Sequence, residues 1–250
     1  MRDPRALALC ALAAALLTAA CGGSSAIPTA PTTQTQANSR SVPPPRISRT
    51  RYLAFGDSLT AGTIAPLALT TLGAGLPESY PFKLRALLEG RYTADTFTIE
   101  NEGRPAELAQ SGALRLPGVL AANNPEVVIL LHGVNDIVVF GASAVTRTAG
   151  YLETMARDAR SAGAEVVLCT LPPERQSGFR AGDPTALALY NDAIRQIAAR
   201  EGATLVDFAR NFGDLRLIGT DGLHPTEDGY TRMAQLLFEA LRARYEIASP

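Results

Sequence analysis

The chain has 250 residues, 46% hydrophobic and 19% charged, which excludes a chain disordered along its whole length. A formal net charge of −1 gives no electrostatic ground for a nucleic-acid partner, and none is expected. With an address segment and a tail set aside, roughly 200 residues remain, enough for one domain with a substantial core.

Arg2 and Arg5 precede an apolar run from Ala6 to Ala20. The run has the length of a signal-peptide core, falls short of the roughly 20 residues that span a bilayer, and carries no polar face. Residues 1–20 therefore read as a signal peptide. Small residues then lead to Cys21 and Gly-Gly-Ser-Ser, which resembles the signal of bacterial lipoproteins, where that cysteine is lipidated and becomes the new N-terminus. Each buried methylene of an acyl chain contributes about 0.8 kcal/mol to membrane binding. The expectation is a protein of the bacterial cell envelope, periplasm-facing or at the cell surface, with the membrane as partner through Cys21. Secretion is the alternative if Cys21 is not lipidated. Residues 21–50 are rich in Ser, Thr, Gln, Pro and Ala and lack apolar periodicity, so they read as a disordered linker to a domain over 51–247.

From there, short apolar runs alternate with helical spacing. RYLAF (51–55), FTIEN (97–101), EVVILLH (126–132), EVVLCT (165–170) and TLVDF (204–208) read as strands. Tyr80, Leu84, Leu87 and Leu88 share one helical face; Leu187, Tyr190, Ile194 and Ile197 share another, and Tyr230, Met233, Leu237 and Leu241 a third. The alternation implies the α/β class: a single-domain, three-layer α/β/α sandwich on a parallel sheet of about five strands, with right-handed crossovers. The nearly all-apolar third and fourth strands suit burial on both faces. Cys169, in the fourth, reads as an inert core residue.

Sites in such sheets gather beyond the carboxyl ends of the strands. Gly56-Asp57-Ser58 follows the first strand, Asn101-Glu102-Gly103 ends the second, and Gly133-Val134-Asn135-Asp136 follows the third. Three polar turns thus fall on one edge, although Gly103 and Gly133 could each be plain turn glycines. Asp221 and His224, in DGLHPTEDGY, precede the last helix, with Pro225 suited to its first position and an acidic first turn behind it. In one compact turn the carboxylate can accept from one imidazole nitrogen and leave the other free as a base. A polar surface turn has the same composition. His132 reads as a strand-end histidine, with a substrate contact as the alternative. Two histidines and no cysteine cluster give no zinc spacing, and neither metal nor cofactor is expected.

Taken in order, Ser58, Gly103, Asn135, Asp221 and His224 resemble the signature of the SGNH hydrolases, the GDSL esterase and lipase family. GDSLT resembles its first block, NEG with Gly103 its second, GVND its third and DGLHP its last, so the likeness covers essentially the whole domain. It implies a flavodoxin-like sheet and a serine esterase that hydrolyses carboxylic esters, whether acyl ester, lysophospholipid or thioester, through an acyl-serine intermediate. A serine at its free pKa is a poor nucleophile and needs an adjacent base. The resemblance makes Ser58 the nucleophile, His224 the base and Asp221 its orienting acid. It places the backbone N–H groups of Ser58 and Gly103 and the Asn135 side-chain amide in the oxyanion hole. Asp57 is expected to shape the serine turn and Asp136 to brace the asparagine loop. The partner implied is a small ester or lipid substrate, met by a monomer.

Two other readings are open. Asp-Ser-Leu is also how acyl carrier proteins present a serine to phosphopantetheine, but those modules are small helical bundles without a preceding buried strand. The second is a non-catalytic, surface-tethered binding lipoprotein that retains the hydrolase fold. Loops 63–79 and 171–184 are expected to border the cleft, the first apolar enough to meet an acyl chain, the second carrying Arg175 and Arg180. The absence of tryptophan mildly disfavours a carbohydrate substrate.

Overall fold

The computed structural model describes residues 43–64 and 77–248. The expected signal peptide, Cys21, most of the expected linker and most of loop 63–79 lie outside the described residues. The linker does not run to residue 50: β1 (Arg46–Ile47) already pairs antiparallel with β7 (Glu246–Ile247) at the other end of the domain. Glu246 holds that junction by accepting from Arg91 Nε at 2.7 Å and from the Tyr92 hydroxyl at 2.7 Å.

The central sheet has five parallel strands: β2 (Arg51–Gly56), β3 (Thr98–Gly103), β4 (Val127–Leu131), β5 (Glu165–Cys169) and β6 (Thr204–Val206), in the order β3-β2-β4-β5-β6. Each begins within one residue of its expected start. The last is shorter than expected because Asp207 caps a short helix, α7 (Phe208–Asn211), through its side chain. β4 reads VVILL and every residue of it is buried, as a strand covered on both faces requires.

The strand order positions the helices. After α1 (Ser58–Ala61), the connection through α2 (Tyr80–Arg91) steps from β2 outward to β3. The next three crossovers step the opposite way, through α3 (Ala109–Asn123), then α4 (Val134–Phe140) and α5 (Val145–Ser161), then α6 (Pro184–Glu201). With right-handed crossovers, a reversal of direction puts α2 on one face and α3, α5 and α6 on the other. Packing agrees: α3 lies against α5 and α5 against α6, while α8 (Glu227–Tyr245) lies against α2. The three expected apolar faces are the ones that pack, with Leu84 and Leu88, Tyr190 and Ile194, and Met233 and Leu237 fully buried. A fully buried Leu or Ile side chain contributes about 1.5–3 kcal/mol.

Local chemistry fixes the helix ends. Asp183 caps α6 by accepting from Thr185 N, Pro184 follows it, and Gly202 ends the helix in the left-handed region. Thr226, rather than the residue before Pro225, caps α8. Pro225 sits outside the helix, bridged to Ile218. The sheet reverses its direction of winding between β2 and β4, and the crevice beyond their carboxyl ends is where a doubly wound sheet binds ligands.

Candidate active site

Ser58 is the first residue of α1, immediately past β2. Asp57 holds the serine turn by accepting from Leu59 N at 3.1 Å. Across the crevice, the Asp221–His224 turn precedes α8. His224 Nε2 lies 2.9 Å from Ser58 Oγ, and His224 Nδ1 lies 2.6 Å from Asp221 Oδ2. The other oxygen, Asp221 Oδ1, accepts from the backbone N–H groups of Leu223 and His224, each at 3.0 Å. All three side chains are buried. Burial alone would raise the Asp221 carboxyl, but the His224 bond and the two amides outweigh it and lower its pKa. An ionised carboxylate only accepts, so the imidazole donates from Nδ1 and presents Nε2 to the serine hydroxyl.

Gly133, at φ +100°, caps α4 in the left-handed region, and the first turn of that helix carries Asn135 and Asp136. Asn135 Nδ2 donates to the carbonyl oxygen of Glu107 at 3.0 Å, which leaves its second N–H for another acceptor. Asp136 Oδ2 accepts from Ala109 N at 2.9 Å and so ties the start of α3 to this loop.

Gly103 is placed differently from expectation. Its N–H donates to Asn101 Oδ1 at 3.0 Å, so it is not free for an oxyanion. The glycine serves close packing: a Cβ there would overlap the backbone of Thr60 and Ala61. The free amide lies three residues on. Arg104-Pro105-Ala106-Glu107 closes a turn through Glu107 N to Arg104 O at 3.2 Å, with Pro at its second position and Ala106, at φ +62°, at its third. This is the signature of a type II turn, which favours glycine where Ala106 stands. Among the described residues, neither Ala106 N–H nor Ser58 N–H donates a hydrogen bond. The sequence marks Ala106 as a place where similar proteins carry a further glycine, but it gives Ala106 no part in the oxyanion hole.

His132 does not line the cleft. It is buried, accepts from Gly133 N at Nδ1 (2.8 Å), and donates from Nε2 to Glu107 Oε2 at 3.2 Å. Its Nδ1 is 3.7 Å from Asp57 Oδ2, a buried oxygen without a hydrogen bond. Burial raises the Asp57 carboxyl, against smaller lowering effects of His132 and the Leu59 amide. Cys169 is buried and reduced, and burial pushes its thiol up, away from nucleophilic use. Loop 171–184 does border the Asp221 turn: Arg175 N donates to Gly222 O at 2.9 Å and Arg180 N to Asp221 O at 2.8 Å. Among the described residues no cluster of His, Cys, Asp and Glu could hold a metal ion, and no helix is long and apolar enough to cross a membrane.

The model of the GDSL-like lipase/acylhydrolase family matches residues 54–232. The chain is 26% identical over 196 residues to the esterase TesA of Pseudomonas aeruginosa, covering 76% of this chain and 87% of that protein. Its fold is similar to that of a lipase/acylhydrolase from Enterococcus faecalis, with a TM-score of 0.66, 21% identity, and 78% of this chain and 97% of the other covered. It is also similar to that of Est24, a carbohydrate acetylesterase from Sinorhizobium meliloti, with a TM-score of 0.66, 19% identity, and 78% and 100% covered.

Proposed function

The chain belongs to the GDSL-like lipase/acylhydrolase family and is a carboxylic ester hydrolase, and from that premise we propose that it works through an acyl-serine intermediate on Ser58. The observation that carries this reading is the relay from Asp221 through His224 to Ser58, with contacts of 2.6 and 2.9 Å. Ser58 Oγ attacks the ester carbonyl carbon while His224 Nε2 takes the hydroxyl proton. Asp221 stabilises the imidazolium that forms. The tetrahedral intermediate collapses as His224 returns the proton to the departing alcohol. Water then adds to the acyl-serine with His224 again as base, and the carboxylic acid leaves as Ser58 recovers its proton.

Negative charge builds on the carbonyl oxygen in both halves of the reaction, and preorganised donors are what stabilise it. The groups available are the Ser58 N–H, the second N–H of Asn135 Nδ2 and the Ala106 N–H. Ala106 takes the place that the sequence assigned to Gly103. A left-handed non-glycine residue is strained by about 1–3 kcal/mol, and such strain concentrates at working sites.

The substrate is a small acyl ester; lysophospholipids and thioesters are further members of the class in this reading. Lipidation of Cys21 would place the enzyme on a membrane of the cell envelope. The names of the similar proteins span esterase, lipase and carbohydrate acetylesterase, so a chain-length series of p-nitrophenyl and thioester substrates, beside lysophospholipid and acetylated sugar, is the assay that narrows the class. The test of the mechanism is covalent. A fluorophosphonate should add one phosphonyl group to the wild type, located at Ser58 by peptide mass spectrometry, and none to Ser58→Ala. Hydrolysis that persists in Ser58→Ala removes the acyl-serine, and an inert wild type favours the non-catalytic binding lipoprotein.

A further inference from the structure

We propose that Glu107 is a positioning residue for the oxyanion hole: a clamp that aims the Asn135 amide, resting on the esterase reading above. The main-chain oxygen of Glu107 accepts one N–H of Asn135 Nδ2 at 3.0 Å. A carboxamide is planar, so fixing one N–H fixes the direction of the other. The aim of Asn135 is therefore as good as the placement of that carbonyl.

The carboxylate of the same residue fixes the carbonyl. Arg115 grips it from α3 through two bonds, Nε to Oε1 at 2.9 Å and Nη2 to Oε2 at 2.7 Å. Paired guanidinium bonds of this kind set orientation as well as energy. His132, beyond the end of β4, adds a third bond to Oε2 at 3.2 Å. Arg115 is itself anchored to β3, through Nη1 to Glu102 Oε2 at 3.1 Å and Nη2 to the Glu102 carbonyl at 3.0 Å. Its guanidinium also lies over the Phe55 ring of β2, 4.1 Å from the centroid. Gly112 leaves room for the His132 ring, which a Cβ there would crowd. The clamp thus refers the loop that carries Ala106 and Glu107 to three neighbouring strands and to α3.

Burying such a cluster does not by itself stabilise a fold, since an ion pair of this sort is often replaceable by apolar side chains at no loss. Its position, one residue after the strained Ala106 and one bond from the Asn135 amide, is what a positioning role requires.

The test is a double-mutant cycle on Glu107→Gln and Asn135→Ala, read as kcat and KM for a p-nitrophenyl ester. Glu107→Gln should lower kcat about ten- to a hundredfold and leave KM within about twofold, the mark of an interaction felt in the transition state. On the Asn135→Ala background the same change should cost less than about threefold. An unchanged kcat in Glu107→Gln, or losses that multiply in the double variant, overturns the clamp while the esterase reading stands. Should Glu107→Gln melt below the assay temperature, Arg115→Gln leaves the carboxylate in place, removes its two-point support and carries the same expectations. A wild type that neither hydrolyses esters nor takes a fluorophosphonate overturns both readings.

Discussion

Ser58 and His224 stand 166 residues apart along the chain and 2.9 Å apart in space. Nothing local brings them together. Ser58 is delivered by the end of β2 and His224 by the turn before α8, a helix that packs against α2, the helix following the serine turn. Asp221 completes the relay from within the same turn as His224. Its carboxylate does two jobs, tying down the Leu223 and His224 amides with one oxygen and the imidazole with the other.

Asp221→Asn separates those jobs. An asparagine can still accept from the amides, so the turn should survive and the melting temperature should change little. It cannot hold the imidazole as the donor at Nδ1 with the same charge behind it, and kcat should fall about ten-thousandfold. A loss of less than tenfold with intact folding would show that His224 acts without Asp221.

Asn135→Ala removes the side-chain donor and the bond to the Glu107 carbonyl together. Turnover should drop about a hundred- to a thousandfold with KM nearly unchanged, because a donor aimed at a developing oxyanion acts on the transition state. Steady-state kinetics on a short-chain p-nitrophenyl ester measures this. A rise in KM with constant kcat would instead make Asn135 a ground-state binding residue.

The architecture was legible in the sequence where packing is periodic and one-sided. β4 announces itself as five consecutive apolar residues, and the Tyr230, Met233, Leu237 and Leu241 series shows the face that α8 buries. α3 was harder to see: Pro117 and Gly112 interrupt its sequence, yet Ala109, Gly112, Leu116 and Leu120 all pack inward. Glycine at position 112 is the price of seating His132, so a tertiary contact overrides a local propensity. At the site, the residue types of the relay and Asn135 stand in short motifs, and the fold sets His224 2.9 Å from Ser58 and 2.6 Å from Asp221. A free backbone amide such as that of Ala106 carries no sequence label, since every residue but proline has an N–H. Gly103 looked suitable by type, but Asn101 takes its amide and the neighbouring chain needs its missing side chain. Glu107 and Arg115 were invisible for a related reason, since single charges on a loop and a helix look solvated until the fold pairs them.

Gly103→Ala distinguishes the packing role from a catalytic one. The substitution keeps the backbone N–H, so a purely electrostatic role would tolerate it. The added methyl meets the backbone of Thr60 and Ala61, which carry the serine turn. Overpacking against main chain should destabilise by about 3 kcal/mol. In a domain of this size that lowers the melting temperature by roughly 6–12 °C. An unshifted melting curve would remove the close-packing account.

Ala106→Gly should do the reverse. Alanine at φ +62° carries the left-handed penalty of about 1–2 kcal/mol, which glycine escapes. Glycine gives back about 0.5–1 kcal/mol through the greater freedom of the unfolded chain. The net is a gain of up to about 1.5 kcal/mol, or up to roughly 6 °C in melting temperature at about 2–4 °C per kcal/mol. Ala106→Val, with a branched side chain at the same angle, should lose stability. If glycine and valine shift the melting temperature in the same direction, backbone strain is not what they report.

Glu107 also sets an expectation for acid. Burial alone would raise its carboxyl, but the bonds from His132 and Arg115 outweigh burial and hold it at about 2. An unfolded glutamate titrates at roughly 4.3. Between those values the unfolded chain binds the extra proton, so the contribution of Glu107 to stability is complete above about pH 4.3 and disappears as pH falls through about 2. Asp221, also lowered, acts with the same sign. Asp57, raised by burial, acts with the opposite sign, its contribution present at low pH and lost as pH rises through its folded pKa. Comparing wild type with Glu107→Gln cancels both of those, since neither side chain is changed. The gap between their urea midpoints should be widest near neutral pH and narrow steadily from about pH 4.5 to about pH 2 as the wild-type carboxylate takes up its proton. A gap that stays constant across that range would mean that the Glu107 carboxylate is not held ionised by Arg115 and His132 in the folded protein.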